Sequence, residues 1–216
     1  MATREKKSPS YDQSMVFKHN QMIADWLDEH SAEIKKGKIR VLVEDESHLK
    51  GGDICGYGWA NRQDRLDVKV KNYLDSKTYY GALDCQSGEM FLMTYETADT
   101  TSTINFVQEL LAQDPHQKIV LIWDGASHHR SAKFRNFLAQ VNQGDDWKVH
   151  CLRFAPYAPK ENPIENVWGQ LKQMLKLMYQ RCRSFKETTL LFEMLVKYQL
   201  FTFPNLERHD AFSIFI

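Results

Sequence analysis

Several features that would place a chain in a common class are missing here. The four cysteines, Cys55, Cys85, Cys151 and Cys182, lie far apart and form no C-x-x-C pair. That excludes a zinc knuckle and a disulfide-stapled scaffold and leaves buried thiols as the reading. No apolar run approaches the roughly 20 residues of a membrane span, and the opening MATREKKSPS lacks the apolar core of a secretion signal. A cytoplasmic protein without membrane contact is expected. Excess charge of one sign is also missing: 28 Lys and Arg balance 28 Asp and Glu, so any basic surface for nucleic acid must be local. There are no internal repeats, and 216 residues that are 43% hydrophobic and 26% charged suit one globular domain with short appendages.

What is present divides into a polar segment and helix over 1–37, a main domain over 38–200 and a tail over 201–216. SMVFKHNQMIADWLDEHSAEIKKG reads as one helix with Met15, Ile23, Trp26, Leu27 and Ile34 near helical spacing, Ser14 as cap and Gly37 as stop. Ile39 to Glu44 is a compact strand signal. After the glycines 51, 52, 56 and 58, RLDVKVKNY alternates as a half-buried strand does. Lys77 to Asp84 and Met90 to Thr97 flank CQSGE and read as a hairpin. From Thr100 the period becomes helical, with Ile104, Val107, Leu110 and Leu111 on one face and Thr100 or Thr101 as cap. KIVLIW then reads as a strand buried on both faces in a parallel pairing. SAKFRNFLAQVNQG is a helix, WKVHCLRF a strand, PYAPKENP a loop and ENVWGQLKQMLKLMY a long helix. The order predicts an α/β, ribonuclease H-like fold: a central mixed five-stranded sheet flanked by helices.

Three carboxylates mark the ends of these elements. Asp45 closes IRVLVEDES, Asp124 closes IVLIWDGASHH, and Glu165 opens the helix after APYAPKENPIENVW. Phosphodiester chemistry needs an activated oxygen nucleophile and neutralised charge on the entering and leaving oxygens. Two divalent ions about 3.5–4 Å apart supply both. Mg²⁺ prefers oxygen ligands, and a helix-borne Glu can reach strand-borne Asp residues from a separate element. On this reading Asp45 bridges two ions, one shared with Asp124 and the other with Glu165. Each acid also has a plainer explanation. Asp124-Gly125 is a turn pair; Asp45 stands between Glu44 and Glu46, any of which is a candidate solvated acid; and Asn162, Pro163 and Glu165 fit the N-cap, N1 and N3 positions of a capping box. The pleat places Val41, Val43 and Asp45 on one face and Glu44 and Glu46 on the other.

VEDES, WDGASHH and PYAPKENPIENVW together resemble the three signatures of the bacterial insertion-sequence transposases related to the mariner superfamily, the DDE superfamily endonucleases. The likeness covers roughly Val41 to Lys186. It implies Asp45, Asp124 and Glu165 as the catalytic, metal-binding triad, Mg²⁺ with Mn²⁺ as substitute in two ions, and cut-and-paste transposition of double-stranded DNA. It also implies a homo-oligomeric active complex. Members of the family carry an N-terminal DNA-recognition region, whereas about 40 residues precede Asp45, so the chain reads as the catalytic half: a separate reading frame that works with a DNA-recognition polypeptide, a truncated copy, or a cloned domain. Forty residues separate Asp124 from Glu165, long for mariner relatives, with VNQGDDWKVH as the site of the extra length.

Candidate substrate contacts are His128, Asn162, Lys172, Lys176, Arg62 and Arg65. His128 is open to a role at the phosphate, while His129 is read as bonding a backbone carbonyl. The lysines compete with a reading as the solvated face opposite Val167, Leu171 and Leu175, and Trp168 is read as core packing. The expected function is a DDE transposase catalytic core. A stand-alone nuclease of the same fold, or an inactive DNA-binding remnant of a transposable element, are the alternatives.

Overall fold

The computed structural model describes residues 12–51, 74–144, 146–178 and 181–215. Its element order is α1 (Gln13–Glu29), α2 (Ser31–Lys35), β1 (Ile39–Lys50), β2 (Ser76–Asp84), β3 (Met90–Tyr95), α3 (Thr100–Gln113), β4 (Lys118–Trp123), α4 (Ala132–Val141), β5 (Val149–Arg153), α5 (Ile164–Met178) and α6 (Phe185–Lys197). The strands form one five-stranded sheet in the order β3-β2-β1-β4-β5. β1, β2 and β3 pair antiparallel, and β4 runs parallel to both β1 and β5. The mixed sheet is therefore as the sequence predicts. The strand expected from RLDVKVKNY, with Arg62 and Arg65, lies outside the described residues.

Each face of the sheet has its own core. Val41, Val43, Val120 and Ile122 pack with α1, α5 and α6 through Leu27, Trp168, Leu171 and Phe192. Leu42, Leu121 and Trp123 pack on the other side with α3 and α4 through Phe106, Leu110 and Phe134. Both faces are buried, which is why β4 reads as an unbroken apolar run rather than an alternating one.

The helix starts differ from the sequence reading in their caps. Asp12, not Ser14, caps α1 by accepting from the Ser14 amide at 3.0 Å. Asp99, not a threonine, caps α3 by accepting from Thr101 and Ser102 at 2.7 and 2.9 Å. A carboxylate one or two residues upstream takes the capping role expected of the hydroxyls. The single N-terminal helix is two, because the chain breaks at His30 before α2.

Strand β1 is twice the expected length, and Asp45 lies inside it rather than at its end. It pairs with β2 as far as Lys50↔Ser76 but with β4 only as far as Val43↔Ile122. Asp45 thus stands just past the point where β4 stops. Continuing the β1–β4 register by two positions sets it level with Asp124.

The tail is part of the core. Leu206, Ala211 and Phe212 are buried in the same cluster as Ile23 and Leu27 of α1, and the 3-10 segment Asp210–Phe215 packs on α1. Helix α1 also supports the loop before α5, since Val16 packs with Ala155 and Ala158 and Asn20 donates to Glu161 at 2.7 Å. None of the described helices is long and apolar enough to cross a membrane.

Candidate active site

Asp45, Asp124 and Glu165 line one cleft of about 660 Å³. β1 brings Asp45 from mid-strand, the end of β4 brings Asp124, and the first turn of α5 brings Glu165. Three positions spread over 120 residues thereby meet at the carboxyl end of the parallel strands. This is where open α/β sheets place their sites.

Asp45 is the most enclosed of the three. Burial, then the charges of Glu165, Glu46 and Asp124, push its carboxyl up to about 8. Trp168 donates its indole N–H to Asp45 Oδ2 at 3.1 Å from the second turn of α5. The ring reaches that position because residue 81, opposite Asp45 on β2, is glycine. A Cβ there would collide with the indole, coming within 2.6 Å of Trp168 Cη2. Trp168 is core, as expected, and also a direct partner of an acid in the cleft.

Asp124 behaves in the opposite way. The His129 imidazole, 3.2 Å away, holds its carboxyl below the ordinary range against the effect of burial. The turn reading of WDGAS holds as well, because Asp124 Oδ1 accepts from the Ala126 amide at 2.8 Å. Glu165 is raised by burial, with Lys172 opposing. Asn162, the expected cap residue, gives its own amide to Pro159 O, so the reciprocal half of a capping box is taken by backbone.

The remaining candidates separate. Asn162 lines the cleft, but its carboxamide is committed: Nδ2 donates to Glu44 O at 2.9 Å and Oδ1 accepts from the Ile164 amide at 3.3 Å. It ties the start of α5 to β1. His128 pairs with Glu46 at 2.7 Å and is not part of the cleft lining. His129 is 6% exposed and faces Asp124 and Glu46, not a backbone carbonyl as expected. Glu44, one of three neighbouring acids read as candidates for a solvated carboxylate, is 1% exposed because α3 and α4 cover that face of the sheet. Lys172 is half-buried near Glu165 and Lys176 is exposed.

Sequence reading missed His19, Arg130, Arg153 and Tyr157, which also line the cleft. Arg153 ends β5 beside Asp124's strand, a position legible once the parallel β4–β5 pairing is known. His19 arrives from α1 and carries no local signal. Residues 142–144 and 146–147 precede β5 and lie at the opposite end of that strand from the cleft.

The donor set is hard oxygen. Burial, then repulsion from the charges of Glu165, Glu46 and Asp124, disfavours ionised Asp45 and raises its carboxyl to about 8. A dication among Asp45, Asp124 and Glu165 relieves that repulsion, so these residues fit Mg²⁺ or Mn²⁺.

No curated protein matches the chain. Solved structures share its fold at low identity. The catalytic domain of the Mos1 mariner transposase aligns with TM-score 0.56 and 13% identity over 95% of this chain and 89% of that one. The Mos1 strand transfer complex aligns with TM-score 0.59 and 11% identity over 99% of this chain and 62% of that one. A Mos1 catalytic domain with raltegravir and Mn aligns with TM-score 0.57 and 13% identity over 88% and 85%. The chain spans 64% of the transposase in a Mos1 paired-end complex with left transposon end. These likenesses establish the ribonuclease H-like fold. The DDE superfamily endonuclease family matches residues 40–189, more than half of the sequence and all three cleft acids. With that match the chain belongs to the DDE superfamily endonucleases.

Proposed function

We propose that this chain is the catalytic core of a DDE transposase, cleaving double-stranded DNA and joining the freed 3′-hydroxyl to a target in cut-and-paste transposition. The observation that carries the reading is the meeting of Asp45, Asp124 and Glu165 in one cleft, from two strands and a helix. The family match supports it. So do structural neighbours solved as a transposase complex with a transposon end or with Mn.

Asp45, Asp124 and Glu165 would hold two Mg²⁺ ions, with Mn²⁺ as substitute. When bound, the ions supply activation of the attacking oxygen and neutralisation of charge on the phosphate. The chain's own residues set the geometry. Trp168 fixes Asp45 Oδ2, the Ala126 amide fixes Asp124 Oδ1, and the first turn of α5 presents Glu165 across the cleft. Arg130 and Arg153 on the rim supply positive charge for a phosphate chain, while Lys172 and Lys176 extend a basic surface along α5. A homo-oligomeric active complex and a separate polypeptide that recognises the element's ends belong to the same proposal.

Plasmid nicking and strand joining test the proposal, with Mg²⁺ or Mn²⁺ and with Asp124→Asn as control. A transposase core nicks and also joins 3′-hydroxyl ends, both activities being lost in Asp124→Asn. Nicking without joining assigns the chain to stand-alone nucleases. Binding without either activity assigns it to inactive remnants.

A further inference from the structure

Behind the cleft, on the face of β1 opposite Asp45, lies a closed group of charges that the catalytic reading does not use. The His129 ring stacks flat on Trp123, with centroids 4.0 Å apart and planes 4° from parallel. Its Nδ1 is 3.2 Å from Asp124 Oδ1. Its Nε2 is 3.4 Å from Glu46 Oε1 and 3.7 Å from Glu44 Oε2. His128 Nε2 approaches the same Glu46 oxygen at 2.7 Å.

The donor atoms of Glu46, His128 and His129 lie within 4.8 Å of one another, which invites a metal reading. The short edge argues against it. Ligands about 2.0–2.1 Å from a tetrahedral metal sit roughly 3.3 Å apart, whereas the His128–Glu46 pair is at direct hydrogen-bond distance. The group is a charge network anchored on Glu46.

Its connection to the cleft is specific. Among the described residues, the Ala126 amide and His129 both meet the Asp124 carboxylate at Oδ1, and neither contact falls on Oδ2. The turn that brings this about is the 3-10 segment His128–Arg130, which folds the chain back so that residue 129 lies under residues 123 and 124.

We propose that His129 is a positioning residue for the metal site: held by Glu46 and clamped on Trp123, it fixes Asp124 through Oδ1 and orients Oδ2 toward the bound cation. This rests on the catalytic reading of Asp124. Partners of metal-ligating carboxylates, when removed, typically cost about tenfold to a hundredfold in metal affinity.

The test is Mn²⁺ affinity of the whole chain, measured by electron paramagnetic resonance of free Mn²⁺ on protein confirmed folded by circular dichroism. His129→Leu weakens Mn²⁺ binding by about tenfold or more. His129→Asn, whose amide nitrogen replaces Nδ1, recovers most of the loss, a rescue that a purely structural ring would not show. Should His129→Leu fail to fold, Glu46→Gln supplies the second variant, weakening binding severalfold by loosening the anchor. Asp124→Asn separates the two readings. If it leaves Mn²⁺ binding intact, the catalytic reading of Asp124 fails; if it weakens binding while folded His129→Leu or Glu46→Gln binds as wild type, positioning alone fails. Zn²⁺ binding that survives Asp124→Asn and disappears in His128→Ala would also overturn the proposal, making the network a metal site in its own right.

Discussion

Trp168 donates its indole N–H to Asp45 Oδ2 at 3.1 Å, through space that only a glycine at position 81 leaves open. The helix, the second strand and the acid are therefore set by one contact. A ligand must be held to within about half an ångström to act, and a buried indole with a single hydrogen bond does this at little entropic cost.

Trp168→Phe keeps an aromatic ring but removes the donor. It is expected to leave the fold intact, cost about 1–3 kcal/mol, and lower nicking more than it lowers DNA affinity. Thermal melting and a nicking time course check both parts.

Gly81→Ala places a methyl against the indole. The ring must shift or β2 must move, and either displaces Asp45's partner, so stability falls by about 1–3 kcal/mol together with activity. A double variant, Gly81→Ala with Trp168→Phe, should lose less than the sum of the single changes. Strictly additive losses would show that the two positions do not interact.

Without metal, stability should decline as pH rises. Folded Asp45 keeps its proton to about pH 8, whereas an unfolded aspartate loses it near 3.8, so folding weakens progressively between those values. His129, raised to about 10 against an ordinary 6.5, extends the decline: its contribution is complete below 6.5 and lost as pH climbs through 10. Glu46, held at about 2, acts in the other direction, its contribution fading as pH falls below 4.5. Melting temperatures in EDTA should therefore fall from pH 5 to pH 8. Asp45→Asn should flatten that interval, and Mg²⁺ should raise the melting temperature most at pH 8.

Lys172 and Lys176 lie on α5 downstream of Glu165. If each meets a phosphate, its replacement by Ala lowers duplex affinity uniformly across sequences and reduces the slope of log K against log salt by about one. An unchanged slope would return both lysines to the solvated face of the helix.

Phe212 is fully buried and faces Phe154, which lines the cleft, at a centroid distance of 6.3 Å. Phe212→Ala is expected to destabilise by about 3–5 kcal/mol, as for other large core truncations. A loss below about 1 kcal/mol in denaturant melts would show the tail to be dispensable.

The order of strands and helices was readable because apolar runs and helical periods depend on local sequence. So was the convergence of the three acids, given the topology. Three things were not. The end of β1 was misplaced because the strand continues through the polar ESHLK on its pairing with β2, although β4 has already stopped. The caps were misplaced because a carboxylate one or two residues upstream outcompetes the hydroxyls. His129 was misread because a five-residue return through a 3-10 turn has no periodicity to betray it. The burial of Glu44 had a signal that went unused: it shares a face with Leu42, and in a sheet covered on both sides that face is core.

Strand β1 carries Glu44, Asp45 and Glu46 in succession, and the pleat sends them to alternate sides of the sheet. Slippage by a single residue would still deliver a carboxylate to the cleft, while exchanging the members of the hidden network. Charge alone therefore cannot police the alignment of this strand. That task falls to shape, above all the notch opposite residue 45, so an indel within β1 should yield a protein that still captures cations but grips them in the wrong place.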